Sequence, residues 1–502
     1  MPSTIADDTD TLDAITTVED GRLSSGDEHP PPMRLSWDIL AEVMAHLPHE
    51  DASRLSRTCQ TLFRLAPRYL LYKVSLWHPT QFLSFYAYMF NGKHDGSHFL
   101  KVLKIAADVE DGWDAYIPDL DERLATLFAH ASGLKAFDID WSGYMEEGAF
   151  ASFASMTSLR TLKIEMATPQ TAELFQSMKA PLTCIYIRLL NTGIHWSLPP
   201  DLAPPLAPFR KSLRVLEAKY ASFDSDAIQF PHLITLRAQI YEPPVLQNII
   251  RCFPNLEELY IYQYRGWSEE EIQDRRRFNQ RTQARTYCWP SLRFLRGDLT
   301  TLYTLAVRCH VHEVYLIHLI ELDNAVDGER LSAVLADTRP PKLSINLRVR
   351  DLSLLAGHLS SAQDALRELS LWITCAGAQL EESTPVQCVI PLLESLSEFS
   401  IHTLEILMTV RRRSYGTLGD VSIDVLNNAA IAQHAARCIR TLRLVAIVIW
   451  EGETGDVYEV HHEANGPSVR RVMSLDEYDA LDTGSHPTIL DWEDGLPAYW
   501  DP

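Results

Sequence analysis

Apolar residues recur along this chain in two rhythms. In LSWDILAEVMAHLPHEDASRLSRTCQTLFRLAP, residues 35–67, the positions Ile39, Leu40, Val43, Met44 and Leu47 fall on one helical stripe. Ser36 is a good N-cap type before that stripe, and Pro48 stops it. Asp51 is the expected cap of a following helix, whose apolar line runs through Leu55, Cys59 and Leu62. Arg54, Arg57 and Arg64 should face water. Two or three short helices of this kind bury only a thin core, so the unit needs a neighbour.

The helical unit runs on into LYKVSLW (71–77), which reads as a first strand, and the second rhythm takes over beyond residue 75, with QFLSFYAYMF as a first covering helix. A phrase of the form L-x-x-L followed by alternation then returns: LKAFDID from Leu134, LRTLKIE from Leu159, LTCIYIR from Leu182 and LRVLEAK from Leu213. It continues as LITLRAQ from Leu233, LEELYIY from Leu256, LRFLRGD from Leu292, LRELSLW from Leu366 and IRTLRLV from Ile439. Segments such as LDERLATLFAHA (120–131) and PPVLQNIIRCF (243–253) read as helices laid over these strands. One such unit cannot bury its own apolar face, so the units must stack. The expected fold class is α/β: a short N-terminal helical unit, then an irregular leucine-rich-repeat-like α/β solenoid. The Asn of a strict leucine-rich repeat is not regularly present, and the rival is an irregular α/β domain whose strands begin with Leu. RGWSEEEIQDRRRFNQRTQAR, from Arg265, interrupts the spacing as a charged, exposed insert. The boundaries expected are an acidic leader at 1–32, the helical unit at 33–72, the solenoid at 73–452 and an acidic cap or tail at 453–502. Within the last, VYEVHHE and VRRVMSL pair around Asn465-Gly466.

Composition narrows the function classes. The chain has 502 residues, 46% of them hydrophobic, and a net charge of -22. A polyanionic nucleic acid demands basic groups, so nucleic acid is not an expected partner. No apolar run approaches the roughly 18 residues of a membrane span, and LRLVAIVIW (442–450) reads as a buried strand. The N-terminus lacks the basic start and apolar core of a signal peptide. The eight cysteines are scattered without a CxxC pair and read as free thiols in a reducing compartment, cytoplasmic or nuclear.

No phosphate-binding glycine loop, nucleophile elbow or H-E-x-x-H spacing is present. His461 and His462 are adjacent on a strand, as are Cys309 and His310, so each pair points to opposite faces. The expectation is therefore a non-enzyme without metal or cofactor. Solenoids bind through an extended concave face. Tyr260, Tyr262 and Trp372 follow L-x-x-L phrases and are the candidate target-binding side chains, with the insert at 265–286 as another candidate.

The opening stretch resembles an F-box, through Leu35, Ile39, Leu40, Val43, Leu47, Pro48, Asp51, Leu55, Cys59, Leu62, Phe63 and Leu65. It departs from that pattern at Ser36, where the family usually has Pro. The resemblance covers about 35 residues. The remainder looks like the large, divergent F-box proteins of fungi. F-box proteins are substrate receptors of cullin–RING (SCF-type) ubiquitin ligases. The resemblance implies that the F-box docks on a small adaptor, which links it to the cullin scaffold, while the repeats select a target protein. It places Leu35, Ser36, Ile39, Leu40, Val43, Leu47, Pro48 and Leu55 at the adaptor surface, with Leu55, Cys59 and Leu62 divided between that surface and the unit's own core. The alternative is a non-catalytic binding scaffold with a degenerate F-box that recruits no ligase.

Overall fold

The L-x-x-L phrases become strands of a single sheet. A computed structural model of the chain describes residues 36–90, 96–106, 116–117, 119–140, 147–167, 169–189, 201–225, 227–263, 266–285, 288–376, 385–411, 428–449, 454–464 and 466–474. Its strands are β1 (Lys73–Leu76), β2 (Val102–Ala106), β3 (Ala136–Asp140), β4 (Thr161–Ala167), β5 (Cys184–Leu189), β6 (Val215–Lys219), β7 (Thr235–Ile240) and β8 (Glu258–Gln263). They continue as β9 (Ser291–Gly297), β10 (His310–Ile320), β11 (Lys342–Arg348), β12 (Glu368–Ala376), β13 (Thr403–Arg411), β14 (Leu444–Ile449), β15 (Thr454–Glu463) and β16 (Gly466–Ser474). The order in the sheet is the order in the chain, β1 to β16. The pairs at both ends of the β1–β14 run are parallel, as are those between, whereas β15 and β16 fold back antiparallel as a closing hairpin. Glu463 stands opposite Gly466 at the hairpin end, so Gly466 opens β16.

Helices occupy most of the connections between the parallel strands; β6 and β7 are joined without one among the described residues. After α1 (Trp37–His46), α2 (His49–Ser56), α3 (Gln60–Leu65) and α4 (Pro67–Leu70) come α5 (Pro79–Phe90), α6 (Leu120–His130), α7 (Glu147–Ser155), α8 (Pro169–Ser177), α9 (Ala203–Leu206) and α10 (Leu246–Cys252). The last six are α11 (Glu269–Gln283), α12 (Leu299–Leu305), α13 (Ala325–Thr338), α14 (Leu352–Leu359), α15 (Pro385–Ser395) and α16 (Asn428–Cys438). The chain divides into two units, Met1–Tyr69 and Leu70–Pro502. The second is an α/β solenoid.

The phrase works in a definite way. Its first Leu is buried, from Leu134 and Leu159 through Leu366. The next residue lends its carbonyl to two amides of the following repeat: Lys135 O accepts from Arg160 N and Thr161 N, and Arg160 O from Thr183 N and Cys184 N. Arg214, Ile234 and Glu257 continue that ladder. The second Leu and the residue two beyond it then line up across the sheet. Leu216, Leu236 and Leu259 form one buried column, and Ala218, Ala238 and Ile261 the next. Gly297 continues the second column beside Ile261. A Cβ there would run into the Ile261 carbonyl and stand 2.8 Å from Leu302 Cδ2 on α12, so the helix side chain fills the place a strand side chain takes elsewhere. On the same core face, the rings of Phe128, Phe137 and Phe153 join α6, β3 and α7 with centroids 5.1 to 5.2 Å apart.

Three local expectations differ. Asp51 lies in the first turn of α2 rather than capping it, because Pro48 already occupies the cap position. The line through Leu55, Cys59 and Leu62 is broken: α2 ends at Ser56, and exposed Cys59 caps α3. The charged insert is helix α11, opened by a Ser268/Glu271 capping box. It is not simply exposed. Ile272, Arg276 and Asn279 are buried, and Arg276 meets Asp337 at 2.6 Å. Among the described residues, no helix is long and apolar enough to cross a membrane.

Candidate functional site

Two surfaces carry the side chains singled out by the sequence. The first belongs to the N-terminal unit. Its helix α1 advances about 100° per residue, and the apolar stripe grades from water to core around that turn. Ile39 is 49% exposed and Val43 40%, Leu40 and Leu47 are half-buried, and Met44 is 1% exposed. Ile39 and Val43 sit one turn apart on the same side. Trp37 at the start of α1 and Phe63 on α3 are more than half exposed. Scattered exposed apolar residues are ordinary, and these four are the large ones exposed among the described residues of this unit.

The remaining residues fall around them. Ser36 is exposed, and its hydroxyl oxygen accepts the Ile39 amide at 3.4 Å, so it caps the helix as a proline could not. Pro48 is exposed and Leu55 half-buried. Leu35 lies outside the described residues. Sequence reasoning missed Trp37, whose signal was a large aromatic at the first helical position.

The second surface is the sheet face opposite the leucine columns. Tyr260 and Tyr262, two apart on β8, both lie on it. Tyr260 is in register with Arg296, Tyr315, Ser344 and Ser370, and Trp372 lies two residues beyond Ser370 on the same face. Tyr260 is buried, while Tyr262 and Trp372 are half-buried. Strands β8 and β12 are separated by three others, about 19 Å from one to the other at ~4.8 Å per strand. The three aromatics therefore share a face without forming one pocket.

Charged side chains line the same face from β7 toward β2. Asp138 lies between Lys104 (3.7 Å) and Lys163 (3.6 Å), and Glu165 between Lys163 (3.5 Å) and Arg188 (3.7 Å). Glu217 is shared by Arg237 (3.8 Å) and Lys219 (3.9 Å). Burial raises the Glu217 carboxyl above the usual glutamate range, although Arg237 and Lys219 pull it back. Burial likewise raises the Tyr262 hydroxyl, with Glu217 adding to the effect. The sequence reading passed over Arg188, Lys219 and Arg237, although LTCIYIR, LRVLEAK and LITLRAQ carry them on the alternation opposite to the leucines.

Burial pushes the Cys184 thiol up to about 11 and Cys309 to about 12, the reverse of an activated thiolate. His462 Nε2 donates to the Leu442 carbonyl at 2.8 Å, and His461 pairs with Glu459 at 3.3 Å. Among the described residues, no three His, Cys, Asp or Glu side chains are grouped to hold a metal ion.

No family model matches the sequence, and no curated protein matches it. Among solved structures, the chain is similar to one in a crystal structure of the Rad7 and Elc1 complex in yeast. The match has 13% identity and a TM-score of 0.31, over 82% of this chain and 85% of that one. A likeness of that size specifies neither family nor partner.

Proposed function

We propose that this chain is the substrate-recognition subunit of a cullin–RING, SCF-type ubiquitin ligase. The N-terminal unit docks on the small adaptor, and the solenoid holds a target protein through its open sheet face. The receptor contributes proximity rather than bond chemistry, bringing a target lysine to a charged conjugating enzyme.

The observation that carries this reading is the exposed Ile39–Val43 side of α1, with Trp37 and Phe63 also in water. Ile39, Val43 and Phe63 are positions of the F-box resemblance, and an apolar surface of this kind is a liability without a partner. Ser36 favours a second reading, a binding scaffold that recruits no ligase. It stands where the family has a proline, and it serves the helix instead.

Capture of the purified SCF adaptor by the full chain separates the two. The double variant Ile39→Asp, Val43→Asp is expected to lose capture while melting like the parent, because both side chains are already in solvent. Leu40 and Leu47 are poorer choices, since their half-buried stems make unfolding an alternative cause. Failure of the parent chain to capture the adaptor, or undiminished capture by the double variant, sinks the receptor reading.

A further inference from the structure

We propose that the edge of the sheet at which strands β2–β6 begin binds a short, Asp- and Glu-rich segment of a partner protein. This rests on the receptor reading only in taking that partner to be the target.

The backbone ladder that ties the repeats together also lines up a set of cations. Lys101, Lys135, Arg160 and Arg214 each stand one residue before a strand, and each carbonyl accepts the two amides where the next strand starts. Thr183 holds the same place before β5. Lys179, Arg210 and Lys211 lie on the approaches to β5 and β6. The five approaches, residues 96–101, 131–135, 156–160, 178–183 and 207–214, contain no Asp or Glu. This edge is therefore basic on a chain whose net charge is -22.

The charges are not matched from within the fold. Lys101 Nζ donates to the His98 carbonyl at 2.7 Å, and Arg160 donates to the Thr157 and Leu159 carbonyls at 3.0 and 2.8 Å. Those acceptors orient the two side chains and are neutral. A side chain at Gly133 would run into Lys101 Nζ, so the bare glycine lets Lys101 reach over the approach to β3. Lys135, Lys179, Arg210, Lys211 and Arg214 are exposed, and among the described residues they make no ion pair and no side-chain hydrogen bond. The acids of the covering helices lie elsewhere. Asp121 and Glu122 on α6 stand in its first turn and Glu147 opens α7, at the ends away from the strand starts, and Glu173 on α8 forms no ion pair.

A helix dipole attracts cations to its C-terminus, which accounts for single lysines after long helices. It does not account for Arg210, Lys211 and Arg214, which follow α9, a helix of four residues. A second observation marks the same place. Arg210 and Lys211 line a cleft of 590 Å³ with Gln176, Pro204, Ala207 and Pro208. Proline has no amide to offer, so the side chains of Arg210, Lys211 and Gln176 are the donors there, and a carboxylate is the acceptor they suit.

The dimensions select a short ligand. From β2 to β6 is about 19 Å at ~4.8 Å per strand, which an extended segment covers in about six residues at ~3.3 Å each. Charges beyond about 10 Å are screened at 0.1 M salt, so such a segment feels the row, whereas a long polyanion runs on over acidic surface. No exposed Phe, Tyr or Trp stands on the five approaches, so bases would find no ring to stack on. A peptide carboxylate needs none.

The test is fluorescence anisotropy of the full chain with a labelled peptide of alternating Glu and Ser, about ten residues long to span the row. Saturable binding is expected, absent for the peptide with Gln in place of Glu. Lys135→Glu with Arg214→Glu should weaken it at least about tenfold, the range in which close charge pairs act, and Arg437→Glu on α16 should not. Should the double reversal misfold, the single change Lys211→Gln, on an exposed side chain, is expected to weaken binding several-fold. No saturable binding, equal binding by the Gln peptide or by the rim variants, or tighter binding of a single-stranded oligothymidylate than of the peptide overturns the proposal. Adaptor capture, which uses the N-terminal unit, is scored separately. Its loss with peptide binding intact removes the receptor reading and leaves the acidic-segment site standing.

Discussion

Asn279 on α11 is 1% exposed, and its amide serves three backbone groups. It accepts from Leu246 N at 3.1 Å and donates to Pro244 O at 3.0 Å and Thr304 O at 2.9 Å. Asn279→Leu would bury those groups without partners, at about 3 kcal/mol or more; urea unfolding measures it, and an unchanged midpoint would show that water replaces the amide. Glu217 gives a pH signature instead. Its folded-state pKa is raised, so the folded chain holds the proton to higher pH than the unfolded chain, and ionising it costs stability. Relative to the parent, Glu217→Gln should therefore gain in melting temperature as pH rises from about 4, the ordinary glutamate range, toward neutrality. A difference independent of pH would contradict the raised pKa. Asn279 could not be read from sequence as a core residue, because it sits in RRRFNQR, and only the seating of α11 beside α12 makes it one.

At the scale of elements, the sequence was informative wherever a phrase repeated. LKAFDID, LRTLKIE and LEELYIY each became a strand, and the hairpin and the helix from QFLSFYAYMF formed as well. The strands β2 and β13 follow the same form, Leu100-x-x-Leu103 and Ile401-x-x-Leu404, and were passed over. Strand β11 hides because Pro340 stands where the first Leu would. The break between α2 and α3 was also illegible: helical spacing continues through Leu55, Cys59 and Leu62, but the chain does not. Within α15, exposed Pro391 interrupts the helix it belongs to, removing one amide donor and crowding the preceding turn. Pro391→Ala is expected to raise stability by up to about 3 kcal/mol. Absence of any gain in urea unfolding would mean that the helix already bends to relieve the ring.

For the whole solenoid, sequence reasoning found the type of fold but not the row of side chains on its open face. That row depends on register between repeats of unequal length, so Tyr260 and Tyr262 were visible as candidates while their alignment with Arg237 and Arg296 was not. The antiparallel β15–β16 hairpin closes the C-terminal side of the parallel run. A chain ending at Ile449 would bare the edge of β14, LVAIVI, a flat apolar strand of the kind that pairs with copies of itself. It is expected to oligomerise, and light scattering that reports a monomer would show that the hairpin has no capping role. The strict chain order of the sheet also has a mechanical consequence. Because each strand is hydrogen-bonded only to its chain neighbours, the pairs stand in series, and a pull between the two ends loads each of them alike. The weakest pair then yields first, with no distant strand to brace it.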